Sequence, residues 1–243
     1  MNSSINIIPY ENLVLAFIPV ILVIFLIYRW NLGHGHYLYA MSRMLLQLLL
    51  IGYFLSYIFG ADSSLIVLGV LTVMLIASAW IALGTVMEKM RTLFVKALLS
   101  LLAGGGLVLL LITQGVLDLQ PWYRPSYFIP LAGMIFANAM NSLSLAAERM
   151  GAEMGRGEVY VKARNIAFKS SLIPITNSLF AVGLVSLPGM MTGQILSGVS
   201  PLIAARYQIM VMCMIFGASG ISSALFLAIA GEDFEKKINS ETV

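Results

Sequence analysis

The stretch SSLIPITNSLFAVGLVSLPGMMTGQILSGVSPLIAA, residues 170–205, lies between Lys169 and Arg206 and carries no charged side chain. A bilayer core about 30 Å thick takes roughly 20 apolar residues to cross as helix. Thirty-six uncharged residues are therefore too many for one straight span and too few for two spans and a turn. The run reads as one interrupted span, or as a span followed by an uncharged segment on the outer side. Pro188-Gly189 marks the expected interruption, because proline removes a helical hydrogen bond and glycine relaxes the backbone.

Composition supports this reading. The chain of 243 residues is 60% hydrophobic and 10% charged, with a mean hydropathy of +0.93, whereas soluble domains carry about 25% charged residues. Charge-free runs give seven spans, at about 13–28, 39–58, 65–83, 97–117, 127–147, 172–196 and 207–230. The N-terminus has no basic stretch ahead of its first apolar run, so no cleaved leader is expected and the first span stays in the mature chain. The fold class expected is an all-α polytopic membrane protein, a single transmembrane domain over residues 1–243.

Orientation follows from lysine and arginine, which collect on the cytoplasmic side. With the N-terminus outside, twelve basic residues lie within: Arg29, Arg43, Lys89, Arg91, Lys96, Arg149, Arg156, Lys162, Arg164, Lys169, Lys236 and Lys237. Only Arg124 and Arg206 lie outside. The expected topology is N-out, C-in. Small residues (Gly104–Gly106, Gly133 with Ala137, and Gly217, Gly220, Ser223 and Ala224) predict close helix packing and a possible oligomer.

Several functions are excluded by what the chain lacks. All eleven acidic residues fall at span ends or in loops, which removes the usual mark of proton or sodium coupling. Glu88 and Asp62 are among them. No phosphate-binding loop is present, since Gly104-Gly105-Gly106 is followed by leucines within a span. No nucleophile and base stand in a catalytic arrangement, so the chain is read as no enzyme. The lone Cys213 is expected as a small packed hydrophobe, and His34-Gly35-His36 as an interfacial turn rather than a metal clip. The net charge of +3 is scattered between spans and implies no nucleic acid.

The polar residues inside the spans gather around the break. Thr192 and Gln194 follow it, Asn177 precedes it, Asn138 and Asn141 lie in the fifth span, and Gln208 opens the seventh. Amides facing lipid are costly, so these are expected to face the bundle interior and, with Pro188 and Gly189, to line a transport pathway. A kink that only shapes packing is the plainer reading of the proline. Met190 and Met191 offer soft thioether ligands for a metal. Gly189-x-x-x-Gly193 offers a close-contact face.

The one long polar stretch, residues 148–171, places Glu158, Lys162, Asn165 and Lys169 on one helical stripe, beside an apolar stripe of Val159, Ala163 and Ile166. This predicts a short amphipathic helix from residue 158, lying on the membrane surface or docking a partner. Glu158, Lys162, Arg164 and Lys169 are its candidate coupling residues.

The blocks RMLLQLLLIGYFLSYIFG (43–60), IPLAGMIFANAMNSLSLA (129–146), SLIPITNSLFAVGLVSLPGMMTGQILSGVSP (171–201) and ARYQIMV (205–211) resemble the FetB-type iron-export permeases. These are membrane subunits of bacterial ABC transporters, related to plant aluminium-tolerance half-transporters. The resemblance covers most of the chain. It implies a permease that forms a homodimer, contacts membrane lipid and pairs with a separate ATPase, which binds ATP so that this chain holds no cofactor of its own. The implied role is iron export in metal homeostasis. The loop at 148–171 is more compact than the family's, and MGAE matches its leucine-glycine-alanine turn only loosely. ABC export of a nucleotide sugar or other organic solute is the alternative, as is a passive channel or assembly factor without ATP coupling.

Overall fold

The computed structural model of the chain describes residues 8–60, 63–84 and 91–241. Asp62, Glu88 and Lys89 lie outside the described residues, as do the side chains of Arg91, Lys236 and Lys237. The chain divides into two compact units, Met1–Ala61 and Asp62–Val243.

The first unit holds α1 (Tyr10–Leu15), α2 (Ile18–Arg29) and α3 (His34–Phe59). The α2–α3 turn is closed by Asn31 and Gly33, both at positive φ, and the two helices pack on each other. None of the side chains of α2 is buried within the unit, and Ile21, Leu22 and Phe25 are among those exposed. A helix that is apolar all round has a hydrocarbon environment on its free faces.

The second unit holds α4 (Ser64–Ala82), α5 (Arg91–Leu110, continued by one π-helical stretch, Leu111–Val116), α6 (Pro125–Gly155), α7 (Tyr160–Ala181), α8 (Gly189–Leu196) and α9 (Pro201–Glu241). The central pair is α6 and α9; α5 and α7 flank it, α4 packs on α5 and α6, and α8 packs on α9. Six helical segments are long and apolar enough to cross a membrane: Glu11–Arg29, His34–Phe54, Ser64–Ala82, Thr92–Val116, Pro125–Gly155 and Pro201–Glu235. The chain is an all-α polytopic membrane protein, and among the described residues no strand is formed.

The remaining expected span, 172–196, is shared between α7 and α8. Its interruption ends at Pro188-Gly189 as the sequence suggests, but the residues that break the helix lie upstream. Helix α7 stops at Ala181, and Gly183 turns the chain at φ +83°, a conformation open to glycine and strained for other residues. The freed Ala181 carbonyl accepts from the Val185 and Ser186 amides at 2.8 and 3.1 Å, and the Ser186 carbonyl accepts from Gly183 at 2.9 Å. Pro188 then restarts the helix: its φ of −60° and ψ of 144° set the N-cap of α8, and its carbonyl accepts the Thr192 amide at 3.0 Å. The proline is a helix starter and the glycine the breaker.

A second difference lies at 158–171. The expected surface helix is not a separate element. It is the first half of α7, which runs on through Ser170 and Ser171 because nothing between Lys169 and Leu172 ends it. The buried stripe is Ala163, Ala167, Ser171 and Ile175, spaced by four, while Val159 is exposed. Glu158, Lys162, Asn165 and Lys169 keep to the outer side as the stripe predicts.

Glycine determines how closely α5 approaches α9. A Cβ at Gly104 would stand 2.7 Å from the Ser222 amide nitrogen and 2.9 Å from its Cα, and one at Gly105 would stand 3.0 Å from Ile135 and Phe136. Gly217, by contrast, has only Val108 at 3.9 Å, and Gly189 and Gly193 have nothing within 4 Å, so the expected close-contact face on α8 is not used within the described residues. Cys213 is exposed on α9, not packed as expected. The backbone clash predicts that Gly104→Ala costs about 1–3 kcal/mol by overpacking. Gly217→Ala, free of that clash, should be neutral or gain up to about 1 kcal/mol of helix propensity. Thermal unfolding of both variants in detergent checks the difference; equal melting temperatures would contradict the close approach.

Candidate functional site

A cleft of about 310 Å³ opens beside the helix break. Four elements wall it: α6 supplies Met134 and Asn138, α7 supplies Ile175 and Ser178, the break and α8 supply Val182, Ser186 and Pro188 to Met190, and α9 supplies Gln208, Val211, Met212 and Ile215. None of the thirteen lining residues is charged. Asn138 donates Nδ2 to the Met134 carbonyl at 2.8 Å. Gln208 is 6% exposed, and its amide makes no hydrogen bond among the described residues.

Of the residues singled out from sequence, the fold brings Asn138, Pro188, Gly189, Met190 and Gln208 into this one cleft. Asn141 and Asn177 are exposed on the outer faces of α6 and α7, against the expectation that all the amides turn inward. Asn177 is two residues from Ile175, enough to carry its side chain to the opposite side of α7, whereas Asn141 is offset from Asn138 by only about 60° and falls just outside the packed face of α6. Met191 does not line the cleft. Neither do Thr192, whose hydroxyl bonds back to the Pro188 carbonyl at 3.2 Å, and Gln194, whose Oε1 is buried without a partner. Met134 and Met212 were missed. The available signal was spacing, since Met134 precedes Asn138 by four residues and Met212 follows Gln208 by four, each on the same helical face.

The far end of α7 is built differently. Tyr160 starts the helix, and its hydroxyl donates to the Leu227 carbonyl of α9 at 3.0 Å. Its ring lies against Gly231, where a Cβ would collide with it. The Lys96 ammonium of α5 stands 3.1 Å from Asp233 of α9 nearby in sequence. Asp233 Oδ2 pairs with that charge without making a well-formed hydrogen bond. On α6, Glu153 is 5% exposed and is held by Arg149 at 2.7 Å and Arg156 at 2.9 Å. Sequence reading placed this carboxylate at a helix end but did not see that it is buried and doubly paired. Among the coupling candidates, Lys162 pairs with Glu158 at 2.7 Å, Arg164 stacks over the Tyr160 ring at 5.6 Å, and Lys169 is exposed. Among the described residues there is no group of three or more His, Cys, Asp or Glu side chains able to hold a metal ion.

Membrane-length helices around an uncharged cleft define a polytopic membrane protein. The chain belongs to the family described as "Uncharacterised protein family (UPF0014)", whose profile matches residues 10–164 and 156–234. It is 38% identical over 204 residues to the UPF0014 membrane protein slr1647 of Synechocystis sp., covering 78% of this chain and 79% of that protein. It is 31% identical over 232 residues to the "Probable iron export permease protein FetB" of Escherichia coli, covering 88% of each. To the Arabidopsis thaliana "Protein ALUMINUM SENSITIVE 3" it is 34% identical, over 86% of this chain and 81% of the relative. No solved structure matches the chain.

The unbonded amide gives a stability prediction. Replacing Gln194, whose Oε1 is buried without a partner, by leucine removes an unsatisfied group, so thermal stability in detergent should hold or rise by up to about 1–3 kcal/mol. A loss of that size instead would mean the amide is bonded within the folded chain.

Proposed function

We propose that this chain is the membrane-spanning subunit of an ABC transporter that moves a metal ion out of the cytoplasm. A separate subunit hydrolyses the ATP. The observation that carries the reading is the uncharged cleft at a helix break in a bundle whose relatives include a protein named as a probable iron export permease. Iron as the ion rests on that relative's name. The reading includes a homodimer in the inner membrane, N-terminus out and C-terminus in.

The mechanism follows from α7 reaching both ends. Tyr160 and Ser178 are eighteen residues apart on one helix, about 27 Å at 1.5 Å per residue. A push at the Glu158–Lys169 end travels along α7, through the proline at 174, to Ile175 and Ser178 in the cleft wall. Tyr160, hydrogen-bonded to α9 and packed on Gly231, carries the same push into the helix that presents Gln208 and Met212. ATP-driven closure of the partner would thus widen or narrow the cleft from two walls at once. A nucleotide sugar is a poor match, because its phosphates would meet no lysine or arginine among the lining residues.

Two experiments test this. In cells loaded with iron, deletion of the gene should raise total iron measured by elemental mass spectrometry. The intact gene should restore it, but not in cells lacking the ATPase. Unchanged content across iron, manganese, zinc and copper would remove the metal. Second, charge reversal at Lys162 and Lys169 should abolish co-purification with the ATPase while membrane insertion persists; undiminished co-purification would remove the docking role.

A further inference from the structure

We infer that the bare stripe of α6 through Ala137 and Asn141 is the seam of a two-fold dimer, where a second copy of this chain covers it and borders the cleft. The inference rests on the homodimer of the reading above and deepens it by assigning the surface through which the copies meet.

The first observation is a mismatch between place and chemistry. Arg124 and Glu148, the charged residues that bracket the span in α6, are 24 residues apart, about 36 Å as helix. A hydrocarbon core about 30 Å thick fits between them. Asn141 lies seven residues inside Glu148, about 10 Å along the helix, and is therefore within that core. Its side chain is nonetheless exposed. Lipid tails offer an amide neither donor nor acceptor, so a partner with polar groups has to cover it.

The second observation is the pattern around that amide. Pro130, Met134, Ala137, Asn141, Ser144 and Glu148 follow one another in alternating steps of four and three, and each is exposed or half-buried. That is the heptad spacing of a helix pair. The opposite face, with Ile135, Phe136, Ala139 and Leu143, is buried within the unit. Helix α6 is thus a central helix with one uncovered line. Ala137 and Ser144, on either side of the amide, are small enough for two backbones to approach closely.

The partner that fits is a second copy. Asparagine carries both a donor and an acceptor, so two Asn141 amides related by a two-fold axis along the membrane normal satisfy each other. A single asparagine in such a seam also fixes its register. The stripe is continuous with the cleft: Met134 belongs to both, and Asn138, next to Ala137, lines the cleft wall. The α6 of one copy therefore borders the cleft of the other, and the two clefts share one seam.

The test uses the full-length chain in membranes, with Cys213→Ser removing the lone thiol. Ala137→Cys and Asn141→Cys, each a single thiol, should give disulfide-linked dimers on mild oxidation, because a seam brings paired Cβ atoms within disulfide reach. Leu107→Cys, exposed on α5, should stay monomeric. Asn141→Leu should weaken dimerisation about threefold to thirtyfold, read as the loss of two-step photobleaching when fluorophore-tagged chains are diluted into lipid vesicles. An unchanged helical circular-dichroism spectrum confirms that each variant folds. A chain that photobleaches in two steps but crosslinks at neither 137 nor 141 overturns the inference and leaves the homodimer standing. Equal crosslinking at all three positions, as random collision gives, also overturns it. Failure of the homodimer reading looks different: single-step photobleaching with no crosslink at any position, which removes the seam with it.

Discussion

In hydrocarbon, a backbone amide or carbonyl that leaves the helical ladder has no water to bond, at a cost of several kcal/mol for each group left bare. An interrupted helix at membrane depth is therefore stable only if the interruption satisfies itself or faces a wet, protein-lined space. The segment 182–188 satisfies part of its own backbone and opens on a protein-lined cleft. Ala181 and Ser186 carbonyls collect the loose amides of the turn, and Val182, Ser186 and Pro188 open onto the cleft. The placement of α6, α7 and α9 around that point follows from the need to wall it. So does the spacing of the amides that face it.

That constraint also explains the two ends of α7. At the cleft, α7 presents the small, polar Ser178 beside the apolar Ile175. At the other end, Tyr160 is tied to α9 through the Leu227 carbonyl and through a glycine that admits its ring. Tight junctions at one end and open volume at the other are what a lever requires, because packed cores move as units and do not deform continuously. The glycines at 104 and 105 let α5 approach the central pair closely.

Much of this was legible in the sequence. Helix class, the membrane-length runs and the existence of an interrupted span follow from the spacing of charges, a signal that lipid makes strong. The position of the break was read one turn late, because Pro188 dominates the sequence signal while Gly183 performs the turn. The polar residues were found, but which of them converge was not. Asn138 and Asn141 differ by three positions, and only the packing of α6 on α7 and α9 decides which faces inward. Met134 and Met212 look like the other methionines among the fifteen until the fold places them together. The buried pairing of Glu153 and the Lys96–Asp233 contact join residues by tertiary packing or by rotamer choice, which no composition reveals.

The central claim is that the space beside the break is an aqueous pathway and not a lipid-filled groove. The most direct measurement is thiol accessibility in membranes, in a Cys213→Ser background, with a membrane-impermeant methanethiosulfonate that reacts only with ionised, hydrated thiols. Ser178→Cys, on the cleft wall, should be modified, whereas Leu107→Cys, exposed on the apolar face of α5, should not. Silence at both positions, or equal reaction at both, would contradict the account.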